Sequence, residues 1–356
     1  MSDFIERFTA KNYGCLKDVT VALTPLHALI GPNDSGKSTL LHGMRTVVQL
    51  VADRFEIDKK GKWKPFDPFL VAQTDGAVSH IAIGCRVAGA SYFIRRDDDT
   101  LVETIEDDGS APHNYLRSLD DTRQWGPATS ALPVSQLRAA RLVRFDPDAL
   151  RAPSGLIPET SPVNFLDDRG LGLAGVYFAI KNRDDGTFAR IIADVRNHFP
   201  TIKSVRVKAV TSSEVVLEAD LASGAKVEAR RMSEGLLYYL AFAALQHLDP
   251  VSLLLVEEPE NGLHPARIVE VMRILREISR TTQVLLATHS PLVINEMQPE
   301  EVSVVTRKPD EGKRVTPMKK TANFEKRSSV YALGELWLSF ADGVEEAPLI
   351  EGRKAS

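Results

Sequence analysis

The sequence predicts an α/β fold: a buried, mixed but largely parallel sheet beside an antiparallel β subdomain. Three observations predict it. Short, largely apolar runs at residues 26–30, 251–256 and 284–287 have the length of strands covered on both faces. Helical periods follow two of them, with Leu40, Leu41, Met44, Val47, Val48 and Val51 on one face, and Ile268, Val271, Met272, Leu275 and Ile278 on another. Residues 78–87, 91–95 and 100–105 read as antiparallel strands, with acidic turns at 97–99 and 107–109.

Before the first apolar run, residues 4–11 and 19–23 read as strands, divided by Asn12-Tyr13-Gly14. Residues 110–165, rich in Pro, Ser and Arg, are the hardest to read; a helix is expected over 134–141, with Asp146-Pro147 breaking up the stretch after it. Residues 171–180 and 188–199 read as helices, and 205–210 with 215–219 as a strand pair. Residues 236–248 are apolar almost all round, which predicts a buried helix. The expected organisation is a first lobe over 1–110, an inserted helical and mixed lobe over 111–230, a core-completing segment over 231–306 and an extension over 307–356.

With 356 residues, 43% of them hydrophobic, the chain can bury a sizeable core. A net charge of -4 argues against a strongly basic nucleic-acid footprint over the whole chain. Two cysteines, Cys15 and Cys85, suit reduced thiols better than a disulfide framework. The start, Met1-Ser2-Asp3-Phe4, lacks the features of a signal peptide, and no apolar run reaches the roughly 18–20 residues of a membrane span. A cytoplasmic protein without membrane association is expected.

The strongest chemical signal is Gly31-Pro32-Asn33-Asp34-Ser35-Gly36-Lys37-Ser38, with Thr39 directly after it. It matches the phosphate-binding G-x-x-x-x-G-K-[ST] loop and has the required strand before it and helix after it. The glycines let backbone amides curl round phosphates, Lys37 neutralises β- and γ-phosphate charge, and the Ser38 hydroxyl ligates Mg²⁺. A second signal is the apolar run ending in Glu257-Glu258-Pro259. Glu257 suits a metal acid acting through water, and Glu258 a base that polarises an attacking water.

Further motifs come in order: Arg231-Met232-Ser233-Glu234-Gly235-Leu236 before the acidic strand, Glu258-Pro259-Glu260-Asn261-Gly262-Leu263-His264-Pro265 after it, and Ala287-Thr288-His289-Ser290-Pro291 after the last apolar run. With the opening Lys11-Asn12-Tyr13-Gly14-Cys15-Leu16-Lys17, these make the chain resemble an ABC-type ATPase head of the RecF/SMC/OLD branch over residues 3–306. The resemblance implies a P-loop NTPase of ABC-ATPase type with a helical signature lobe, and ATP and Mg²⁺ as cofactors. Ser233 and Gly235 would reach across a head-to-head homodimer, or a higher homo-oligomer, to the γ-phosphate on the partner's loop. His289 would sense that phosphate in cis, and Asn261 would line the dimer seam. Glu257 stands where many members have Asp, and Glu234 where transporters usually have Gly. The glutamine that links the metal site to the helical lobe has candidates in Gln73, Gln124 and Gln136.

Several residues have plainer readings. Tyr13 could stack on adenine but is expected to pack on the sheet. His264 reads as a seam or turn residue rather than a metal ligand, the Asp clusters at 97–99 and 107–108 as solvated loop tips, and Trp63 and Trp125 as local packing. Arg138, Arg141 and Arg144 read as a solvated helix face rather than a DNA contact. The Lys and Arg content of 307–327 is ambiguous, and residues 331–338 either dock a partner or pack on the chain's own core.

A transporter's nucleotide-binding subunit is the rival class. Against it stands the separation of Lys37 and Ser233 by 196 positions, more than a compact head needs. The 67 residues after His289 are too few for a further nuclease domain, so any cutting is expected of a separate effector protein. The expectation is a stand-alone ATPase acting with DNA or with an effector such as a nuclease, of the kind found in bacterial anti-phage operons or in DNA repair.

Overall fold

The computed structural model describes residues 4–60, 80–97, 100–106, 113–118, 137–308, 312–321, 324–328 and 331–338. In chain order, β1 (Ile5–Tyr13), β2 (Leu16–Ala22) and β3 (Leu26–Ile30) lead into α1 (Lys37–Lys60). β4 (His80–Val87), β5 (Ala90–Asp97), β6 (Thr100–Glu106), β7 (His113–Ser118) and β8 (Ala140–Val143) follow. Next come α2 (Pro147–Arg151), β9 (Ser154–Gly155), α3 (Leu173–Asn182), α4 (Thr187–His198), β10 (Ile202–Ala209), β11 (Glu214–Leu221) and β12 (Lys226–Glu228). The last stretch holds α5 (Glu234–Ala244), β13 (Leu253–Glu257), α6 (Pro265–Ile278), β14 (Gln283–Thr288) and α7 (Pro291–Asn295). It ends with β15 (Val302–Lys308), β16 (Gly312–Pro317), α8 (Phe324–Ser328) and α9 (Leu333–Leu338).

The chain forms two units. The first comprises residues 1–141, 251–257 and 279–356; the second comprises 142–250 and 258–278.

In the first unit, one sheet runs β2-β1-β4-β5-β6-β7 with every pairing antiparallel. β1 from Phe8 to Lys11 and β2 from Val19 to Ala22 alternate buried and more exposed residues, as a sheet with one covered face requires. A second sheet has the order β16-β15-β3-β14-β13-β8. Its centre is parallel: β3 pairs with β14 and β15, and β14 with β13. β3, β13 and β14 are buried at every position, which is why their sequences are mostly apolar and do not alternate. The predicted apolar face of α1 is buried throughout, from Leu40 to Val51.

Among the buried polar side chains of this unit, Gln283 and His27 join separate strands. Gln283 accepts from the Ile5 amide at 3.0 Å and donates to the Ile5 carbonyl at 2.9 Å and the Thr24 carbonyl at 3.2 Å, tying the first strand of one sheet to the other. His27 bridges Thr24 Oγ1 at 3.1 Å and Ser303 Oγ at 3.0 Å, and burial lowers its pKa to about 4. The tail is not free to dock: Leu336 and Trp337 are buried, α9 packs on α7, and the Gly334 amide donates to Asn295 Oδ1 at 2.7 Å.

The second unit carries the sheet β10-β11-β12, with β9 pairing β11, and the helices α2–α6. α5 is buried from Leu236 to Ala244, in keeping with its all-round apolar sequence, and then tightens into a 3-10 turn at Leu245–His247 ahead of Pro250. Among the described residues no helix is long and apolar enough to cross a membrane.

Two expectations fail. Residues 137–143 are extended, not helical: the Ala139 carbonyl accepts from the amides of Ser252 at 2.9 Å and Leu253 at 3.2 Å, and Ser252 Oγ accepts from the Arg138 amide at 2.9 Å. Pairing at the sheet edge outweighs a weak local helix preference. Arg138, Arg141 and Arg144 therefore share no helix face. Nor does Asp146-Pro147 only interrupt the stretch after 141; it starts a short helix. Asp146 Oδ1 accepts from the Asp148 and Ala149 amides at 3.0 Å each, and Pro147 occupies the first position of α2. The Ala149 amide and then Arg169 hold the Asp146 carboxyl below the usual carboxylate range.

Candidate functional site

The glycine-rich loop lies between the buried end of β3 and the first turn of α1. At Gly31 the backbone passes β15 so closely that a Cβ would sit 2.2 Å from the Val305 carbonyl oxygen, which leaves glycine as the only fit. Asp34 (φ 62) and Gly36 (φ 101) are left-handed, and the Ser35 amide closes a turn onto the Pro32 carbonyl at 3.3 Å. Lys37 Nζ donates to the carbonyls of Gly31 and Pro32, both at 2.8 Å. Pro32 is half-buried, Asn33 and Asp34 are exposed, and so is Ser38; Thr39 Oγ1 lies 3.4 Å from Cys15 Sγ. Ser35 is buried, and its Oγ makes no hydrogen bond among the described residues.

The first amides of α1 have no intrahelical acceptors, and no acid in its first turn offsets their charge. Amide donors, an ammonium group and an exposed hydroxyl thus lie within one short segment. That donor set fits a polyphosphate.

Strand register brings further residues to the same edge of the sheet. Ile30 pairs with Thr288 on β14, and Ala287 pairs with Glu257 on β13. The carboxyl ends of three adjacent parallel strands therefore deliver the loop, His289 and Glu257 together, the edge at which open α/β sheets bind ligands. One strand separates β3 from β13, a spacing of about 10 Å between their axes. Glu257 is 7% exposed, His289 is exposed, and Thr288 Oγ1 accepts from the Ser290 amide at 2.9 Å.

The other predicted site residues belong to the second unit. Glu258 is half-buried and left-handed (φ 49), a strained choice for a residue with a Cβ. Asn261 Nδ2 donates to Glu258 Oε2 at 2.6 Å, and the Asn261 amide donates to the Glu258 carbonyl at 3.0 Å. Ser233 caps α5, its Oγ accepting from the Leu236 amide at 3.4 Å. A Cβ on Gly235 would lie 3.5 Å from the Gly262 carbonyl, so the start of α5 and the turn after Glu258 are neighbours within this unit.

The plainer readings hold for two side chains. Tyr13 is buried against Gly43, with its hydroxyl 3.4 Å from Thr46 Oγ1, and burial raises its pKa. His264 Nδ1 accepts from the Ala266 amide at 3.3 Å at the start of α6. No group of three or more metal-ligating side chains occurs among the described residues. Gln73, Gln124, Gln136, Trp63 and Trp125 lie outside them, as do Asp98, Asp99, Asp107 and Asp108. Sequence reasoning missed Lys313, whose Nζ donates to the Asp34 carbonyl, and Arg151, 3.7 Å from Glu234 inside the signature motif.

The profile of a family described as "AAA domain, putative AbiEii toxin, Type IV TA system" matches residues 88–295, more than half of the chain. The chain belongs to this family. A second profile, "AAA ATPase domain", matches residues 4–79 of this AAA-family chain and contains the glycine-rich loop. An "OLD nuclease" of Thermus scotoductus is 41% identical over 44 residues, which span 12% of this chain and 8% of that protein. Among solved structures, an Smc head crystallised with the C-terminal winged-helix domain of ScpA superposes with a TM-score of 0.52 at 15% identity, covering 88% of this chain and 97% of that one. The fold is that of an SMC-like head.

Proposed function

We propose that this AAA-family protein binds ATP with Mg²⁺ and hydrolyses it at a site completed when two heads face each other. The observation that carries the reading is the convergence of the glycine-rich loop, Glu257 and His289 on one sheet edge. Residues 31–39 cradle the triphosphate, with Lys37 exchanging its two loop carbonyls for phosphate oxygens. Ser38 and Glu257 would hold the metal ion, Glu257 through water, and the ion would supply neutralisation of phosphate charge. Glu258 takes a proton from the attacking water as the γ-phosphorus–oxygen bond breaks and ADP leaves with that bond's electrons. His289 contacts the γ-phosphate in cis, and Ser233 and Gly235 close over it from the second protomer. Residues 1–110 and 231–306 form the working head, residues 111–230 its inserted lobe, and 307–356 an extension.

We further propose a cytoplasmic role in which the ATP-dependent homodimer controls a separate effector, a nuclease in particular, in anti-phage defence or DNA repair. Two likenesses support this: the short match to an OLD nuclease, and a family description that names a toxin of a type IV toxin–antitoxin system. Steady-state phosphate release from ATP tests the chemistry. Wild type should turn over, Lys37→Ala should not bind ATP, and Glu258→Gln should bind without turnover. Wild-type turnover by Glu258→Gln would remove Glu258 from the reaction.

A further inference from the structure

The phosphate-binding motif contains one lysine, but the structure brings a second to the loop. Lys313 lies on β16, opposite Arg307 of β15, and is 9% exposed. A lysine on a solvated hairpin would direct its ammonium into water. Here Nζ donates to the backbone carbonyl of Asp34, 279 positions earlier in the chain, and its stem runs past the loop, with Cγ 3.4 Å from where a Cβ on Gly36 would lie. The same hairpin also walls the loop at Gly31, through the Val305 carbonyl.

The contact falls where the loop's shape is decided. Asp34 is left-handed at φ 62, a conformation that a side-chain-bearing residue holds only when its surroundings impose it. A peptide plane is rigid, so fixing the Asp34 carbonyl also fixes the Ser35 amide, which points back to the Pro32 carbonyl. Gly36 then follows at φ 101 and leads into the first amides of α1. The carbonyls of Gly31 and Pro32 are held by Lys37, a group that nucleotide binding would call away. The Asp34 carbonyl is held by a lysine outside the motif, which can stay in place while Lys37 moves.

We infer that Lys313 is a positioning residue of the phosphate-binding loop, keeping it in its binding conformation through the Asp34 carbonyl. This rests on the nucleotide-binding reading above and adds to it a part for the β15–β16 hairpin.

The test uses the full chain and titrates a fluorescent ATP analogue (mant-ATP) against wild type, K313M, K313R, D34G and the double variant D34G/K313M, with urea midpoints measured without nucleotide. Losing a charge-assisted hydrogen bond should weaken K313M binding by about tenfold or more, while K313R stays within about threefold of wild type. The urea midpoint of K313M should stay near that of wild type. Glycine adopts the left-handed conformation unaided, so K313M should cost several-fold less in the D34G background. Wild-type affinity in K313M, no rescue by K313R, or the same penalty in both backgrounds would overturn the inference. If K313M does not fold, K313Q replaces it: intermediate affinity supports the role and wild-type affinity refutes it. Failure of wild type itself to bind mant-ATP would remove the nucleotide reading and this inference together, whereas binding by wild type with no effect of K313M removes Lys313 alone.

Discussion

Replacing Gly235 by alanine separates what the signature helix does for the fold from what it does for ATP turnover. Gly235 is the second residue of α5, and the nearest atom to an added Cβ would be the Gly262 carbonyl oxygen at 3.5 Å, an ordinary van der Waals distance. Its backbone is helical, so alanine meets no conformational penalty and gains helix propensity of about 0.5–1 kcal/mol, less near a helix start. In a chain of 356 residues that is a rise of about 1 °C in Tm. Function should move the other way. If the start of α5 closes over the partner's γ-phosphate, a methyl group there holds the two half-sites apart. Loss of one well-placed transition-state contact corresponds to a fall in turnover of about 100-fold. Thermal unfolding and phosphate release on the same preparation read both effects. Unchanged turnover would refute the placement of Gly235 at a trans site, and a drop of several degrees in Tm would refute the packing argument.

Acid should weaken the first unit through His27. Burial holds its pKa at about 4, offset slightly by Glu301, whereas the unfolded chain takes up that proton near 6.5. The folded state then binds fewer protons between those values, so stability is full above pH 6.5 and falls by up to about 3 kcal/mol as the pH drops to 4. Urea midpoints should show a smaller acid loss for His27→Gln than for wild type; equal losses would contradict the assignment. Gln283→Leu should cost about 2–4 kcal/mol by leaving the buried Ile5 amide and carbonyl unpaired, as denaturant unfolding would show. A cost below about 1 kcal/mol would mean that water replaces the lost partner.

The parts of the fold legible in the sequence were those whose signal is local. Leu26 to Ile30 and Leu253 to Val256 lie between covered faces, so they are apolar but for His27 and do not alternate. The face from Leu40 to Val51 repeats at the helical period because one side of α1 is buried. What escaped depends on partners distant in sequence. β8 is a strand because β13 offers it hydrogen bonds, and nothing in Ala140 to Val143 announces that. The Lys and Arg content after residue 306 hid the β15–β16 hairpin, since a charged stretch reads as solvated surface until its strands are paired. Lys313 and Gln283 were unreadable for the same reason: each side chain finds its partner some 280 positions away. Asp146-Pro147 was legible but read the wrong way, because proline after a capping residue begins a helix as readily as it interrupts one.

Light scattering coupled to size-exclusion chromatography of Glu258→Gln measures the proposed closure of two heads over ATP. With ATP and Mg²⁺ the particle mass should be twice the 39.2 kDa of the chain or a higher multiple, and adding Ser233→Arg to the same variant should abolish that ATP-dependent association while mant-ATP still binds. A mass of one chain under saturating ATP, at concentrations well above those of the assay, would contradict the shared nucleotide site.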